Sequence, residues 1–246
     1  VPSPESSSPN IKSNPGGWRR STPGAGQLAK AVKRQVGIRI NRLEALWFDL
    51  KFGTATRGKA SAAKLGLQSD DYGPSTGYQA VNEKHLRTVL EAIPFPPHST
   101  FVDIGCGKGK ALLIAADHEF VSRVVGVELA TSLCCDAREN VERLRRRGAL
   151  KKTIDVLEED AASYRFIRGE NIFFVNNPFD WTLMSRLVDN ICEAARISGR
   201  DVYFLYANPA SAEKLHQDPR VRLEREFKFF GPGRNINFYV ISPTKI

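Results

Sequence analysis

Apolar residues return every third or fourth position from Leu28 through Val32, Val36, Ile40 and Leu43 to Leu46, Trp47 and Leu50. That period predicts one amphipathic helix within 27–67, with Gly37 as the place for a kink. Turn-rich pieces follow at Phe52–Gly58 and Asp70–Pro74. A second helical pattern then carries Val81, Leu86, Val89, Leu90 and Ile93 until Pro94 and Pro96 stop it.

From there the chain alternates short apolar runs with helical periods. Phe101–Ile104 and Ser122–Leu129 read as strands, Lys108–Ala116 and Thr131–Arg147 as helices. Thr153–Leu157 and Asn171–Val175 are the next strands, Thr182–Ile197 a helix and Asp201–Tyr206 a strand. Such alternation is the pattern of an α/β domain with a mostly parallel sheet. Val221–Phe230 and Asn235–Ser242 differ: two β-rich runs around Gly231-Pro232-Gly233 fit an antiparallel hairpin at the sheet edge.

Before Gly26 the chain is mostly Pro, Ser, Gly and Asn and is expected to be a disordered basic tail over 1–26. Residues 27–97 then form a helical extension or lid, and 98–246 the main domain. The 246 residues carry a formal charge of +9, but it is not evenly spread. Residues 1–70 hold 12 Lys/Arg against four acids, while the rest is nearly neutral. A basic arm could bind phosphate or an acidic partner, but solubilising tails look the same.

No apolar run approaches the roughly 18 to 20 residues of a membrane helix, so a soluble protein with no membrane partner is expected. The first residues show no secretory signal, and Val1 in place of Met points to something removed upstream. Four cysteines without paired spacing read as reduced thiols of a cytoplasmic protein. Four scattered histidines predict no metal site.

Most of the chemical information lies in Phe101-Val102-Asp103-Ile104-Gly105-Cys106-Gly107-Lys108-Gly109-Lys110, a strand ending in an acid and glycines that opens a helix. Glycines there let a ligand approach the backbone at the carboxyl end of the strand. A dinucleotide fingerprint fails, because Lys110 stands at its third glycine. A phosphate-binding loop fails too, because Ala111 follows Lys110 where Ser or Thr is needed.

The remaining pattern, apolar-x-Asp-x-Gly-x-Gly-x-Gly, resembles the first motif of class I S-adenosylmethionine-dependent methyltransferases. The resemblance implies a Rossmann-like, mostly parallel seven-stranded sheet with a terminal antiparallel hairpin and a helical N-terminal extension. It implies S-adenosylmethionine as cofactor, with Asp103 near its cationic amino-acid end and Gly105, Cys106 and Gly107 around the methionine and ribose. Val124–Glu128 ends in the acid that such enzymes use to take both ribose hydroxyls, with Leu129 beside it. Asp160 would accept from the adenine amino group and Ala161 would offer its backbone amide. Taken singly, Asp103 also reads as a helix cap, and Glu128 and Asp160 as surface charges.

Asn176-Asn177-Pro178-Phe179 stands where many nitrogen-directed methyltransferases carry Asp/Asn/Ser-Pro-Pro-Tyr/Phe, a motif that aims the target nitrogen at the methyl group and packs an aromatic ring on a flat target. Asn at the second place departs from that motif. The shorter Asn177-Pro178-Phe179 resembles uncharacterised bacterial members, and a plain turn capped by Asp180 stays open. Asn176, Asn177, Pro178 and Phe179 are the candidate catalytic residues, Asn176 also touching the cofactor. Upstream, Tyr72-Gly73-Pro74-Ser75-Thr76 is similar to the pre-sheet loop of lysine-directed members, including histone-lysine methyltransferases of the Dot1 type. Tyr72 and Thr76 would then lie near the methionine end.

The expected activity is methyl transfer to an amino nitrogen, of a protein lysine or a small molecule. An RNA methyltransferase is the alternative, resting on the basic arm and on Arg143, Arg145, Arg146 and Arg147 at a helix end. A non-catalytic cofactor-binding subunit is a third. Cys106 is not expected to be a nucleophile, since neither His85 nor His98 is placed to activate it.

Overall fold

The computed structural model describes residues 25–61, 65, 77–166, 169–176, 179–230 and 234–245. The chain opens with helix α1 (Ala25–Phe52), unbroken through Gly37 and two residues earlier than the expected start. Two short strands, β1 (Lys59–Ala60) and β2 (Tyr78–Gln79), pair antiparallel beside it. Helix α2 (Glu83–Ala92) follows, its first turn capped by Asn82, which accepts from the His85 amide at 3.2 Å.

The alternating part contains β3 (Ser99–Ile104), α3 (Lys110–Ala115), β4 (Val121–Glu128), α4 (Thr131–Arg146) and β5 (Thr153–Glu158). It continues with β6 (Glu170–Asn176), α5 (Trp181–Ser198) and β7 (Val202–Ala207). A short helix, α6 (Ala212–His216), precedes β8 (Val221–Lys228) and β9 (Asn235–Ile241). The predicted strands and helices of this part fall within about two residues of these bounds; α6 has too few apolar repeats to show in the sequence. The hairpin turn 231–233 lies outside the described residues.

Seven strands form one sheet in the order β5-β4-β3-β6-β7-β9-β8. The first five run parallel, β9 runs antiparallel to β7, and β8 antiparallel to β9. Successive strand residues point to opposite faces, and each face has its own core. Phe101, Val124, Ile172, Phe174, Leu205 and Val240 pack under α2 and α3, together with Phe48 of α1. Val102, Val125, Phe173, Val175, Phe204 and Tyr239 pack under α5 and Leu215 of α6. The near-continuous apolar runs of the strands follow from this double burial.

Strand order reverses between β3 and β6. In an open parallel sheet, the crevice beyond the carboxyl ends at that reversal is where ligands bind. Both candidate motifs, the glycine loop after β3 and Asn176 at the end of β6, therefore reach the same edge.

Candidate active site

At that edge lies an open cleft of about 910 Å³, counted out to solvent. Asp103, Gly105, Cys106, Glu128 and Leu129 line it from β3 and β4. Asp160 and Ala161 line it after β5, and Asn176 and Phe179 after β6. Tyr72, Thr76, Asn177 and Pro178 lie outside the described residues.

The glycine loop is held by backbone bonds. Gly105 and Cys106 both donate to the Val127 carbonyl, at 2.8 and 3.0 Å, which keeps the turn tight against β4. Gly107 adopts φ +55°, and a Cβ there would come within 2.3 Å of the Tyr78 ring. Only glycine allows both that backbone and that contact.

Glu128 is buried, and its carboxylate spans the loop: one oxygen accepts from the Gly107 amide and the other from Ala130, both at 2.9 Å. Burial pushes its pKa above the usual value, with the amides of Ala130, Gly107 and Leu129 opposing. Each carboxylate oxygen has a further lone-pair site for a hydroxyl donor from the cleft. Asp103 is more buried still, and its Oδ1 has no hydrogen-bond partner. Burial, and then the charge of Glu128, hold its carboxyl well above the usual range. An orphaned buried carboxylate is costly, and a ligand ammonium would satisfy it. A cation beside Asp103 and a diol beside Glu128 are what S-adenosylmethionine would bring, so the residues present fit that cofactor.

Asp160 Oδ1 accepts from the Ala162 amide at 2.8 Å, so one of its oxygens serves the local turn. Cys106 packs against Gly126, where a Cβ would approach its Sγ to 2.8 Å. Burial, then the neighbouring charges of Asp103 and Glu128, push the Cys106 thiol up, which suits a packing residue and not a nucleophile. Asp180 caps α5 by accepting from the Leu183 amide at 2.9 Å.

Asn176 is fixed at both ends of its amide. Its Nδ2 donates to the Gln79 carbonyl and its Oδ1 accepts from Asn208 Nδ2, each at 2.9 Å. Asn208 sits at φ +52°, an unusual conformation that Asn tolerates better than most residues. Beyond Gln79, Ala80 and Val81, which line both spaces, lies a second, polar cavity of about 410 Å³. Asn41, Asn82, His85, Asn208 and Arg234 line it. Burial, then the charge of Arg234, lower the His85 pKa to about 4.

Two further residues line the cleft, Lys110 at the end of the glycine-loop sequence and Tyr78, which no motif announces. Lys110 is buried at the start of α3, with its Nζ 4.6 Å from the centre of the Phe48 ring. Tyr78 is delivered by the N-terminal extension through a chain of bonds. Buried Asp49 accepts from the hydroxyls of Thr54 and Thr56 and from Arg57. The Thr56 carbonyl then accepts from the Tyr78 hydroxyl. Asn140 ties the same loop to the glycine turn, accepting from Ala55 at 2.8 Å and donating to the Lys108 carbonyl at 3.0 Å. The Asp49 bonds are local, but Tyr78 lies 22 residues from Thr56 and Asn140 lies 85 from Ala55, so no local pattern signals the whole chain of bonds.

Three of the four arginines at the end of α4 are engaged locally. Arg143 pairs with Glu139, and Arg145 and Arg146 with Glu142. Among the described residues there is no cluster of His, Cys, Asp or Glu suited to a metal ion.

Sheet order, crevice and glycine loop together define the fold of class I S-adenosylmethionine-dependent methyltransferases. A solved O-methyltransferase of that cofactor class from Thermotoga maritima superposes with TM-score 0.51 over 67% of each chain, at 15% identity. An RNA methyltransferase from Salinibacter ruber, solved with S-adenosyl-L-homocysteine, covers 67% of this chain and 94% of its own, with TM-score 0.49 and 14% identity. The chain belongs to the DOT1 family of histone methylation proteins, whose pattern matches residues 66–200, more than half of its length. A protein-lysine N-methyltransferase of Saccharolobus islandicus (strain REY15A) is 32% identical over 72 residues, 29% of this chain. The match spans 45% of the length of that relative.

Proposed function

We propose that the chain transfers a methyl group from S-adenosylmethionine to an amino nitrogen, with a protein lysine side chain as the acceptor. The observation that carries this reading is the place of Asn176, whose amide stands between the cofactor cleft and the second polar cavity. Asp103, Gly105, Cys106, Gly107, Glu128, Leu129, Asp160 and Ala161 hold the cofactor in this reading, Tyr72 and Thr76 close over its methionine end, and residues 27–97 serve as the lid. Asn176, Asn177, Pro178 and Phe179 face the acceptor. The cofactor, when bound, supplies an electrophilic methyl on a sulfonium.

The residues then have three tasks. Asn176 Oδ1, already oriented by Asn208, has a lone pair left to accept from the target N–H and turn the nitrogen lone pair toward the methyl. Near-attack geometry needs about 3–3.5 Å between the reacting atoms. The acceptor must also arrive as a neutral amine. The burial and the Arg234 charge that lower His85 to about 4 also disfavour an ammonium in the same cavity. Phe179, half-buried at the cleft wall, packs against the substrate and keeps water out. The lysine-directed relative from Saccharolobus islandicus supports the acceptor class.

Of the arginines behind the RNA reading, Arg143, Arg145 and Arg146 pair with glutamates of their own helix, and Arg147 stands outside those pairs. The test is incubation with methyl-labelled cofactor and cell extract, followed by mass spectrometry. Label on lysine is expected, with Asn176→Ala lowering kcat by about 10²-fold. Label on nucleosides, or none on any amine, overturns the reading.

A further inference from the structure

Helix α1 has two opposite faces. Inward, Phe48 and Asp49 are buried, Asn41 accepts from Asn82 and Arg234, and Glu44 pairs with Lys84 at 2.8 Å. Outward, Val32, Val36, Ile40, Leu43, Trp47 and Leu50 are between 45% and 71% exposed. At about 100° per residue these six fall within an arc of about 80°, and at ~1.5 Å per residue they run for roughly 27 Å. The periodicity that marks this helix in the sequence is thus mostly its outer face, not its packing face.

The charges beside the stripe have one sign. Arg39, Arg42 and Lys51 are exposed, and neither Arg39 nor Arg42 has a partner among the described residues. Both acids of the helix are committed inward, Glu44 to Lys84 and Asp49 to Thr54, Thr56 and Arg57. We propose that this face of α1 docks on an anionic lipid bilayer surface, with the apolar stripe at the acyl boundary and the cations among the headgroups. The apolar stripe with its exposed tryptophan and flanking arginine and lysine is what an interfacial contact needs, while the opposite face of this helix is held by the domain. A second copy would bring like cations together with no free acid on either stripe to meet them. A nucleic acid would meet the cations but leave Leu43 and Trp47 in water. The helix lies on the surface and does not span it, since no described helix is long and apolar enough to cross a membrane; the expectation of no membrane partner rested on spanning alone and is set aside for surface contact.

The test uses the full chain and sedimentation with phosphatidylcholine vesicles, with and without phosphatidylglycerol. The chain should pellet only with the anionic vesicles and be partly released by salt. The double variant Ile40→Ser, Trp47→Ser should stay in the supernatant yet still bind S-adenosylhomocysteine, because both side chains, though in the extension, are exposed on its outer face and line no part of the cleft. Arg39→Gln with Arg42→Gln should weaken partitioning by at least about tenfold. The proposal is overturned if the unaltered chain ignores anionic vesicles. It is equally overturned if the apolar variant still pellets, or if sedimentation velocity shows a dimer that the variant dissolves without any vesicle binding.

Discussion

The Tyr78 ring closes on Gly107: a Cβ built on that glycine would lie 2.3 Å from two ring carbons, while the Tyr78 hydroxyl is held by the Thr56 carbonyl. The extension that precedes the sheet thereby touches the turn that would cradle the cofactor. Gly107→Ala should therefore cost cofactor affinity. Left-handed backbone alone disfavours alanine by about 1–2 kcal/mol, and the ring must also move. Calorimetry with S-adenosylhomocysteine should show at least about a tenfold weaker complex. Adding Tyr78→Ala should recover part of the loss; no recovery would mean that the ring contact is not the cause.

At a pH between the ordinary carboxyl value and its raised folded one, Asp103 should release a proton when the cofactor binds. Its folded pKa lies above the ordinary carboxyl value because of burial and the Glu128 charge, so the empty fold retains a proton that the unfolded chain loses as pH rises. Stability of the ligand-free protein should accordingly fall as pH rises from the unfolded value of 3.8 toward the folded one. A ligand ammonium favours the ionised form and makes binding tighter over the same rise. Titration calorimetry in buffers of different ionisation enthalpy measures the released proton, and Asp103→Asn should abolish it.

Asp49 has the opposite linkage. Burial alone would raise its pKa, but hydrogen bonds from Thr56, Thr54 and Arg57 outweigh it and leave the carboxyl below the ordinary value. Its contribution is present above the unfolded value of 3.8 and disappears as pH falls through the folded one. Asp49→Ala should destabilise the chain by about 3 kcal/mol in denaturant titrations, because several buried donors lose one charged acceptor. It should also weaken cofactor binding, since Tyr78 loses the anchored Thr56 carbonyl.

Asn208 acts as a positioning residue for Asn176. Asn208→Gly keeps the left-handed backbone and removes only the 2.9 Å bond to Asn176 Oδ1. Under the proposed reaction, kcat should drop about tenfold with little change in KM or in S-adenosylhomocysteine affinity. A drop in affinity instead would place the pair on the cofactor side of the wall.

Much of this site was legible in the sequence because its parts are local. Asp103 to Gly109 is one strand end and one turn, Glu128 ends the next strand, and the sheet edge gathers whatever follows parallel strands. Lys110 stood inside the quoted motif, yet its burial against Phe48 depends on a helix some 60 residues earlier. Tyr78, Asn140 and Asn208 act through partners in other elements, and the second cavity has walls from α1, α2, β7 and β9.

Helix α1 shows the division most plainly. Its apolar period established a helix, because a repeat of three and four residues is a property of the chain itself. Which face would be covered was not in that repeat, because burial belongs to the surface a helix meets. Phe48, Asp49 and Asn41 turned inward, while the stripe from Val32 to Leu50 stayed open. The sequence by itself determined the alternation of elements, the glycine turn and the acids that follow it, all set by near neighbours. Only the tertiary structure decided which residue closes on Gly107, which amide orients Asn176 and which side of α1 faces outward, because each depends on contacts between segments far apart in the chain.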